Sequence, residues 1–180
     1  MPKYIAFLRA INVSGRYIKM ATLTAHCKTL GYDNVETFIN SGNVIFDSPS
    51  RSAPKLGVAI ESAIEPLLGF KSEVFVRSGA ELRNMLAHAS TMLSKVPRGG
   101  ELNVAFLSAP LTQEQDASLL MMRSDVDDFV VSGQEIYWLC RVAQSESKFS
   151  NAVLERKLKL RTTFRREGML TKLVAQHFAA

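Results

Sequence analysis

The chain has 180 residues, of which 47% are hydrophobic and 22% charged, a composition typical of a globular protein and not of a disordered one. No apolar run approaches the roughly 18 residues that a membrane-spanning helix needs, and the N-terminus lacks the pattern of a signal peptide. These features predict a cytoplasmic protein that does not engage a membrane.

The charge distribution bears on the kind of ligand, and the cysteines bear on disulfide and metal sites. The formal net charge is +5, and residues 141–180 hold nine Lys or Arg against three Glu. Such a segment suits nucleic acid, a phosphate-bearing ligand or an acidic partner, or it is a solvated basic face without a ligand. Cys27 and Cys140 lie in apolar segments without a CxxC motif or His at metal-ligand spacing, which indicates buried thiols. The sequence predicts neither a metal nor a cofactor.

The first half of the chain alternates strand-like and helical patterns. In chain order these predict a strand at 4–9, a helix at 20–30, strands at 35–40 and 43–47 joined by a two-residue Ser41-Gly42 turn, a helix at 55–68 and a strand at 72–77. The order β-α-β-β-α-β is that of a ferredoxin-like unit, in which an antiparallel sheet carries both helices on one face.

The second half shows the same order. The patterns predict a helix at 80–89, a strand at 102–107, a helix at 112–122, a hairpin near 129–137, a helix at 151–160 and, from Thr162, a short strand or a last helix reaching Phe178. The fold class is therefore α+β, with two tandem ferredoxin-like units. Residues 1–78 form the first unit, 79–100 a helical connector, and 101–180 the second unit with basic C-terminal helices.

The two hairpins carry the strongest sign of an internal duplication. FINSGNVIF (38–46) aligns without a gap on FVVSGQEIY (129–137), and both first strands contain Ala-Phe-Leu. The alignment predicts equivalent turns at Ser41-Gly42 and Ser132-Gly133. Chance similarity between two short hairpins is the alternative.

Both faces of the first hairpin are apolar. Pairing across its turn places Phe38 and Ile45 on one face, and Ile39, Val44 and Phe46 on the other. Helices cover one face of a ferredoxin-like sheet, so the second face is expected to pack on the other half, to pack on a second copy in a homodimer, or to bind a ligand. Packing between the halves is the commoner outcome.

Catalytic motifs are absent from the sequence. It has no GxSxG, HExxH, P-loop or Rossmann glycine pattern, and its three histidines lie in unrelated helical stretches. Asp125, Asp127 and Asp128 lack the Gly and distal Glu of a calcium loop, which favours a structural role. No acid, base or nucleophile is therefore assigned.

Two loops carry side chains suited to an anion. The loop after the first strand holds Arg9 and Asn12, with Lys19 close behind, and the hairpin tip spans Asn40 to Asn43. Guanidinium and amide groups donate well to phosphate or carboxylate oxygens. The alternative is that Asn and Ser serve turn geometry at these positions.

Four phrases of the chain resemble one bacterial family. They are LRAINVSGR (8–16), MATLTAHCKTLGY (20–32), TFINSGNVIFDS (37–48) and SKFSNAVLERKLKLRTTFRREGMLTKL (147–173). Over nearly the whole chain the sequence is similar to the domain of unknown function 1697, whose members usually read LRGINVGG, YIQSGNVVF and RNWNTVTKL. It departs from that pattern at Ala10, Ser14 and Arg166–Met169. The resemblance implies the fold and no activity.

The leading functional hypothesis is a binding protein for an anionic ligand, either a phosphate-bearing metabolite or a nucleic acid backbone. The candidate ligand-binding residues are Arg9, Asn12, Lys19, Asn40, Ser41, Asn43, Lys148, Arg165 and Lys172. The strand NVIFD lacks the aromatic pattern with which RRM domains stack bases. One alternative is an enzyme that holds an anionic substrate with Arg9 and Arg165. The other is an interaction or oligomerisation module that uses the second sheet face.

Overall fold

The computed structural model describes every residue of the chain except Ser14, Asn40 and Ser41. The described residues divide into unit 1, Met1–Leu82 together with Ala180, and unit 2, Arg83–Ala179. Each unit contains a four-stranded antiparallel sheet.

Unit 1 has the predicted order of elements. They are β1 Lys3–Leu8, α1 Met20–Thr29, β2 Asp33–Thr37, β3 Asn43–Asp47, α2 Ala53–Leu68 and β4 Val74–Ser78. The strand order is β2-β3-β1-β4, which is the ferredoxin-like arrangement. Helix α3, Gly79–Ser90, follows β4 directly and continues into unit 2.

Unit 2 repeats this order. Its elements are β5 Glu101–Phe106, α4 Gln113–Leu120, β6 Asp127–Ser132, β7 Glu135–Cys140, α5 Asn151–Leu158, β8 Thr163–Arg166 and α6 Glu167–His177, with short 3-10 helices at Leu93–Lys95 and Gln144–Glu146. The strand order is β6-β7-β5-β8. The tandem ferredoxin-like fold is thereby confirmed, and the segment after Thr162 forms both a strand and a helix.

Local sequence sets the ends of the long helices. Ser52 precedes α2, and its hydroxyl accepts the backbone N–H of Lys55 at 3.5 Å. The helix ends where Gly69 adopts a left-handed φ of 71°. In unit 2, Thr112 and Gln115 form a reciprocal capping box at the start of α4.

The Ala-Phe-Leu sequences of the two first strands occupy equivalent places in their sheets. Ala6 of β1 pairs with Val44, and Ala105 of β5 pairs with Ile136. The backbone N–H of Leu8 donates to the carbonyl of Gly42 at 2.8 Å, and that of Leu107 donates to the carbonyl of Gln134 at 2.9 Å. The residues just beyond β1 and β5 therefore meet equivalent points of the two hairpins.

The gap-free alignment of the hairpins is wrong in register. The pairing above makes Val44, and not Ile45, the counterpart of Ile136. Strand β2 ends at Thr37, so residues 38–42 connect it to β3, whereas two residues connect β6 to β7. The prediction that the strand includes Phe38 and Ile39 is therefore wrong, while Asn40 and Ser41, the first residue of the predicted Ser41-Gly42 turn, lie outside the described part of the chain. The chain leaves the ladder because Ile39 adopts a left-handed φ of 59°.

The helix-facing side of each sheet forms a core. In unit 1, Val44 and Phe46 lie on this face, and the Phe46 ring stacks on Tyr32 with a centroid distance of 4.5 Å. In unit 2, Trp138 packs edge-on against Phe149 at 4.8 Å. The opposite face of the unit 1 sheet, including Ile45, is also buried. The predicted division of Ile45 from Val44 and Phe46 is confirmed.

Candidate functional site

Antiparallel pairing gathers three connections at one end of the unit 1 sheet. They are residues 9–19 after β1, 38–42 between β2 and β3, and 69–73 before β4, and together they are called the loop end below. The backbone N–H of Arg9 donates to the carbonyl of Glu73 at 2.9 Å, while Leu8 is bonded to Gly42. The fold thus brings together the two loops that the sequence singled out, and adds a third.

Arg9 connects two segments of the loop end through its backbone and its side chain. Its carbonyl accepts the hydroxyl of Ser72 at 2.6 Å, and its guanidinium Nη1 lies 3.4 Å from Oε2 of Glu73. Both side chains of this ion pair are partly buried. Arg9 therefore ties β1 to the segment before β4, and Glu73 offsets part of its charge.

Asn12 closes the loop after β1. Its Oδ1 accepts the backbone N–H of Ile18 at 3.0 Å, and its own N–H donates to the carbonyl of Arg16 at 2.8 Å. Ala10 and Asn12 both have left-handed backbones, with φ of 57° and 56°. Left-handed backbone costs about 1 to 2 kcal/mol at a residue such as Ala10 and less at Asn12, because Asn adopts it more readily, so the loop is strained chiefly at Ala10. Ser14 lies outside the described residues.

The loop end exposes cations and an aromatic ring. Arg16, Lys19 and Lys71 are exposed, and the Arg16 guanidinium carbon lies 4.5 Å from the ring centroid of Phe70. Tyr17, between Arg16 and Lys19, is 75% exposed. Residues 1–32 hold five Lys or Arg and no Asp or Glu, so the cations of this loop have no acidic neighbour in sequence. The result is a locally positive surface.

Asn43 holds the hairpin connection. It is 0% exposed, and its Nδ2 donates to the carbonyl of Phe38 at 2.8 Å. Gly42 beside it has a φ of 74°, and a Cβ there would lie 3.0 Å from Cβ of Ile11. These contacts hold the connection against the loop after β1, and the Asn43 amide is hydrogen-bonded inside the protein. Asn40 and Ser41 lie outside the described residues.

Unit 2 provides an internal comparison for the loop end. Its connection from β5 to α4 spans residues 107–112, against 9–19 in unit 1, and its hairpin connection is residues 133–134, against 38–42. Three non-glycine residues of the unit 1 connections, Ala10, Asn12 and Ile39, have positive φ. In the two matching connections of unit 2, the only residue with positive φ is Gly133. The extra, strained segments are therefore a feature of unit 1 and are not demanded by the fold.

The candidate residues of unit 2 stand on separate elements. Lys148 is exposed between a 3-10 helix and α5, and Lys172 is exposed on α6. Arg165 on β8 is partly buried and donates to the Thr163 hydroxyl at 2.6 Å and the Phe164 carbonyl at 2.9 Å. Burial lowers the pKa of Arg165 to about 10, so it stays cationic at neutral pH. Its guanidinium is tied to its own strand.

The segment that departs from the family pattern spans the end of β8 and the start of α6. Arg166 ends the strand, and its guanidinium lies 3.2 Å from Oε1 of Glu101. Glu167 opens α6 and accepts the hydroxyl of Thr171 at 2.6 Å. Local contacts thus occupy the charged side chains of this segment.

The sequence-based interpretation left Tyr17 and Lys71 out of the candidate site. Lys71 lies just before the fourth strand, and antiparallel pairing with β1 brings that point to the start of the loop after β1. This position could have been inferred from the predicted topology. The exposure of Tyr17 could not, because apolar periodicity does not show whether a loop aromatic is covered.

Neither a metal-ligating cluster nor a membrane-spanning helix is found among the described residues. No group of three His, Cys, Asp or Glu side chains among them is arranged to hold a metal ion. Within the same part of the chain, the helices fall short of the length and apolarity needed to cross a bilayer.

Sequence comparison assigns the family. The model of the family described as "Protein of unknown function (DUF1697)" matches residues 1–137, a stretch that includes the whole loop end. The chain belongs to the DUF1697 family. A conserved bacterial protein from Streptococcus pneumoniae has a similar solved structure, with a TM-score of 0.73 and 21% identity over 98% of both chains. At that identity the likeness concerns the fold. No functionally curated protein matches this DUF1697 chain.

Proposed function

We propose that the loop end of unit 1 binds an anionic ligand, a phosphate-bearing metabolite or a nucleic acid backbone. The observation that carries the proposal is the cationic loop 9–19, held in a strained shape at an end where unit 2 has shorter connections. Strained backbone and loops carried on a rigid scaffold concentrate where proteins bind or react. Arg16, Lys19 and Lys71 supply the exposed charge.

The geometry favours binding over catalysis. The segments of the loop end contain one carboxylate, Glu73, and no His or Cys. Glu73 pairs with Arg9 at 3.4 Å, so it is engaged in holding the loop. An acid or base poised for proton transfer must reach the reacting group. Lys148, Arg165 and Lys172, which belong to unit 2, stay predictions as ligand contacts.

The experiment is a thermal-shift measurement on the full chain with inorganic pyrophosphate, a nucleoside diphosphate and an oligonucleotide. A ligand at about 100 times its Kd stabilises the folded state by about 2.7 kcal/mol, so at least one probe is expected to raise Tm by several degrees. Lys19→Ala is expected to reduce the rise, because it removes an exposed cation at the start of α1.

Lys28→Ala is the matched control. Lys28 is exposed in the last turn of the same helix, so the variant makes the same charge change at the opposite end. It is expected to leave the ligand-induced rise unchanged. The proposal is wrong if none of the probes raises Tm, or if Lys28→Ala weakens the response as much as Lys19→Ala does.

A further inference from the structure

The exposed apolar side chains of the loop end suggest that the ligand has more than charge. Tyr17 is 75% exposed, and every other Phe, Tyr or Trp side chain of the chain is buried or half-buried. Val13 in the same loop is 49% exposed, and Ile39 in the hairpin connection is 56% exposed. Burying such side chains normally stabilises a protein, and this fold leaves them exposed at its most cationic loop.

The loop presents Tyr17 in a defined place. Asn12 Oδ1 accepts the N–H of Ile18, the residue after Tyr17, while the carbonyl of Arg16, the residue before it, accepts the N–H of Asn12. Arg16 is in turn stacked on Phe70. Both neighbours of Tyr17 are therefore anchored, so little ordering of the backbone would be needed when its ring meets a flat partner.

The sheet cannot serve as the binding platform instead. RRM-type domains stack bases on aromatic side chains of an open sheet face. In unit 1, Phe7 and Phe75 project from the face of the sheet opposite its helices, and both are buried. A ligand that uses an aromatic ring on this unit must therefore use the loop end.

Resting on the anion-binding function proposed above, we propose that the ligand is single-stranded nucleic acid, with a base stacked on Tyr17 and backbone phosphates at Lys19 and Lys71. Proteins that bind single strands without sequence preference combine a cationic surface with exposed aromatic rings, because every base has a flat face. Charge complementarity favours this occupant: Arg16, Lys19 and Lys71 are exposed at the loop end, and Glu73, the one carboxylate of its segments, pairs with Arg9.

Fluorescence anisotropy on the full chain tests the proposal with two labelled probes. One is oligo(dT) of about twelve nucleotides, and the other is the same phosphodiester chain without bases. The base-bearing probe is expected to bind about tenfold more tightly, and its affinity should fall steeply from 50 to 200 mM salt. Tyr17→Ala is expected to remove that tenfold difference, and Tyr17→Phe to keep it. Lys19→Ala should weaken both probes equally, with Lys28→Ala as the unchanged control.

The outcomes separate this inference from the function on which it rests. Equal affinity for the two probes, with Tyr17→Ala binding like the parent, leaves the anion site standing and overturns the role of the base. Binding to vesicles of phosphatidylcholine and phosphatidylserine, but to neither probe, overturns the inference in favour of a membrane surface. If neither probe binds, the inference is wrong, while pyrophosphate in the thermal-shift experiment still decides the anion site.

Discussion

Arg77 of β4 and Arg165 of β8 occupy the same position in the two sheets. Arg77 pairs with Ile5 and Arg165 with Val104, each of which stands one residue before the matched Ala-Phe-Leu. Each guanidinium donates to the carbonyl of the preceding residue, at 3.0 Å and 2.9 Å. The repeated order of strands therefore extends to a shared side-chain bond on the last strand of each unit.

Arg77→Lys and Arg165→Lys are expected to destabilise the protein by similar amounts, about 1 to 3 kcal/mol each, because an ammonium group cannot reproduce the planar fork of donors. Urea unfolding at pH 7 measures both variants. Arg98→Lys, at an exposed turn position, is the control and is expected to unfold like the parent. A loss confined to one of the two arginines would contradict an equivalent structural role.

Gly42→Ala is expected to destabilise unit 1 by more than about 2 kcal/mol. The substitution combines left-handed strain at a φ of 74° with a Cβ placed 3.0 Å from Ile11 and 3.2 Å from Leu8. Gly15→Ala is the matched control, since Gly15 has a φ of 78° and a Cβ there would have none of the described neighbours within 4 Å. Denaturant unfolding should show the smaller loss for Gly15→Ala. Equal losses would mean that close approach to the loop after β1 is unimportant.

Asp127→Ala is expected to cost about 3 kcal/mol or more. Asp127 is 4% exposed and accepts hydrogen bonds from Trp138 Nε1 at 2.8 Å and the Ser147 hydroxyl at 2.7 Å, so its removal leaves buried donors without an acceptor. Trp138 is the one tryptophan of the chain, so its fluorescence reports the change directly. Asp125→Ala, at an exposed neighbour, should leave stability and emission unchanged. An unaltered Asp127→Ala spectrum would contradict the bond.

Cys27 is expected to make stability fall at alkaline pH. Burial raises the pKa of its thiol from 9.0 to about 11. Between these values the unfolded chain loses the proton while the folded chain keeps it, so the free energy of unfolding decreases as pH rises. When the free energy of unfolding of each protein is expressed relative to its own value at pH 7, Cys27→Ala should make this decrease smaller by up to about 2 to 3 kcal/mol. Parallel curves of parent and variant from pH 8 to 11 would contradict the assignment.

The hairpins show what sequence patterns resolve and what they miss. Alternation of apolar residues predicted both strands and the face of Val44 and Phe46, because successive side chains of a strand point to opposite faces of the sheet. The alignment of the two hairpins was wrong in register by one residue. Short strands share residue types, and the five-residue connection before Asn43 depends on bonds to Phe38 and Leu8 that no local pattern contains.

The candidate site shows the same division. Arg9, Asn12 and Lys19 were predicted from donors on a loop, and the structure places all three at one end of unit 1. Asn43 was chosen for the same reason but is buried, because its amide bonds to the carbonyl of Phe38. A side chain's donors are visible in the sequence, whereas its exposure depends on what packs over it.

By itself the sequence determined the succession of strands and helices, the family and the two tandem units, since the periods of helix and strand and the helix caps are local properties. Only the tertiary structure decided that three connections meet at one end, that Tyr17 is uncovered there and that Asn43 is enclosed. Those outcomes depend on strand pairing between residues far apart in the chain, such as Leu8 and Val74. Local periodicity carries no information about such pairs.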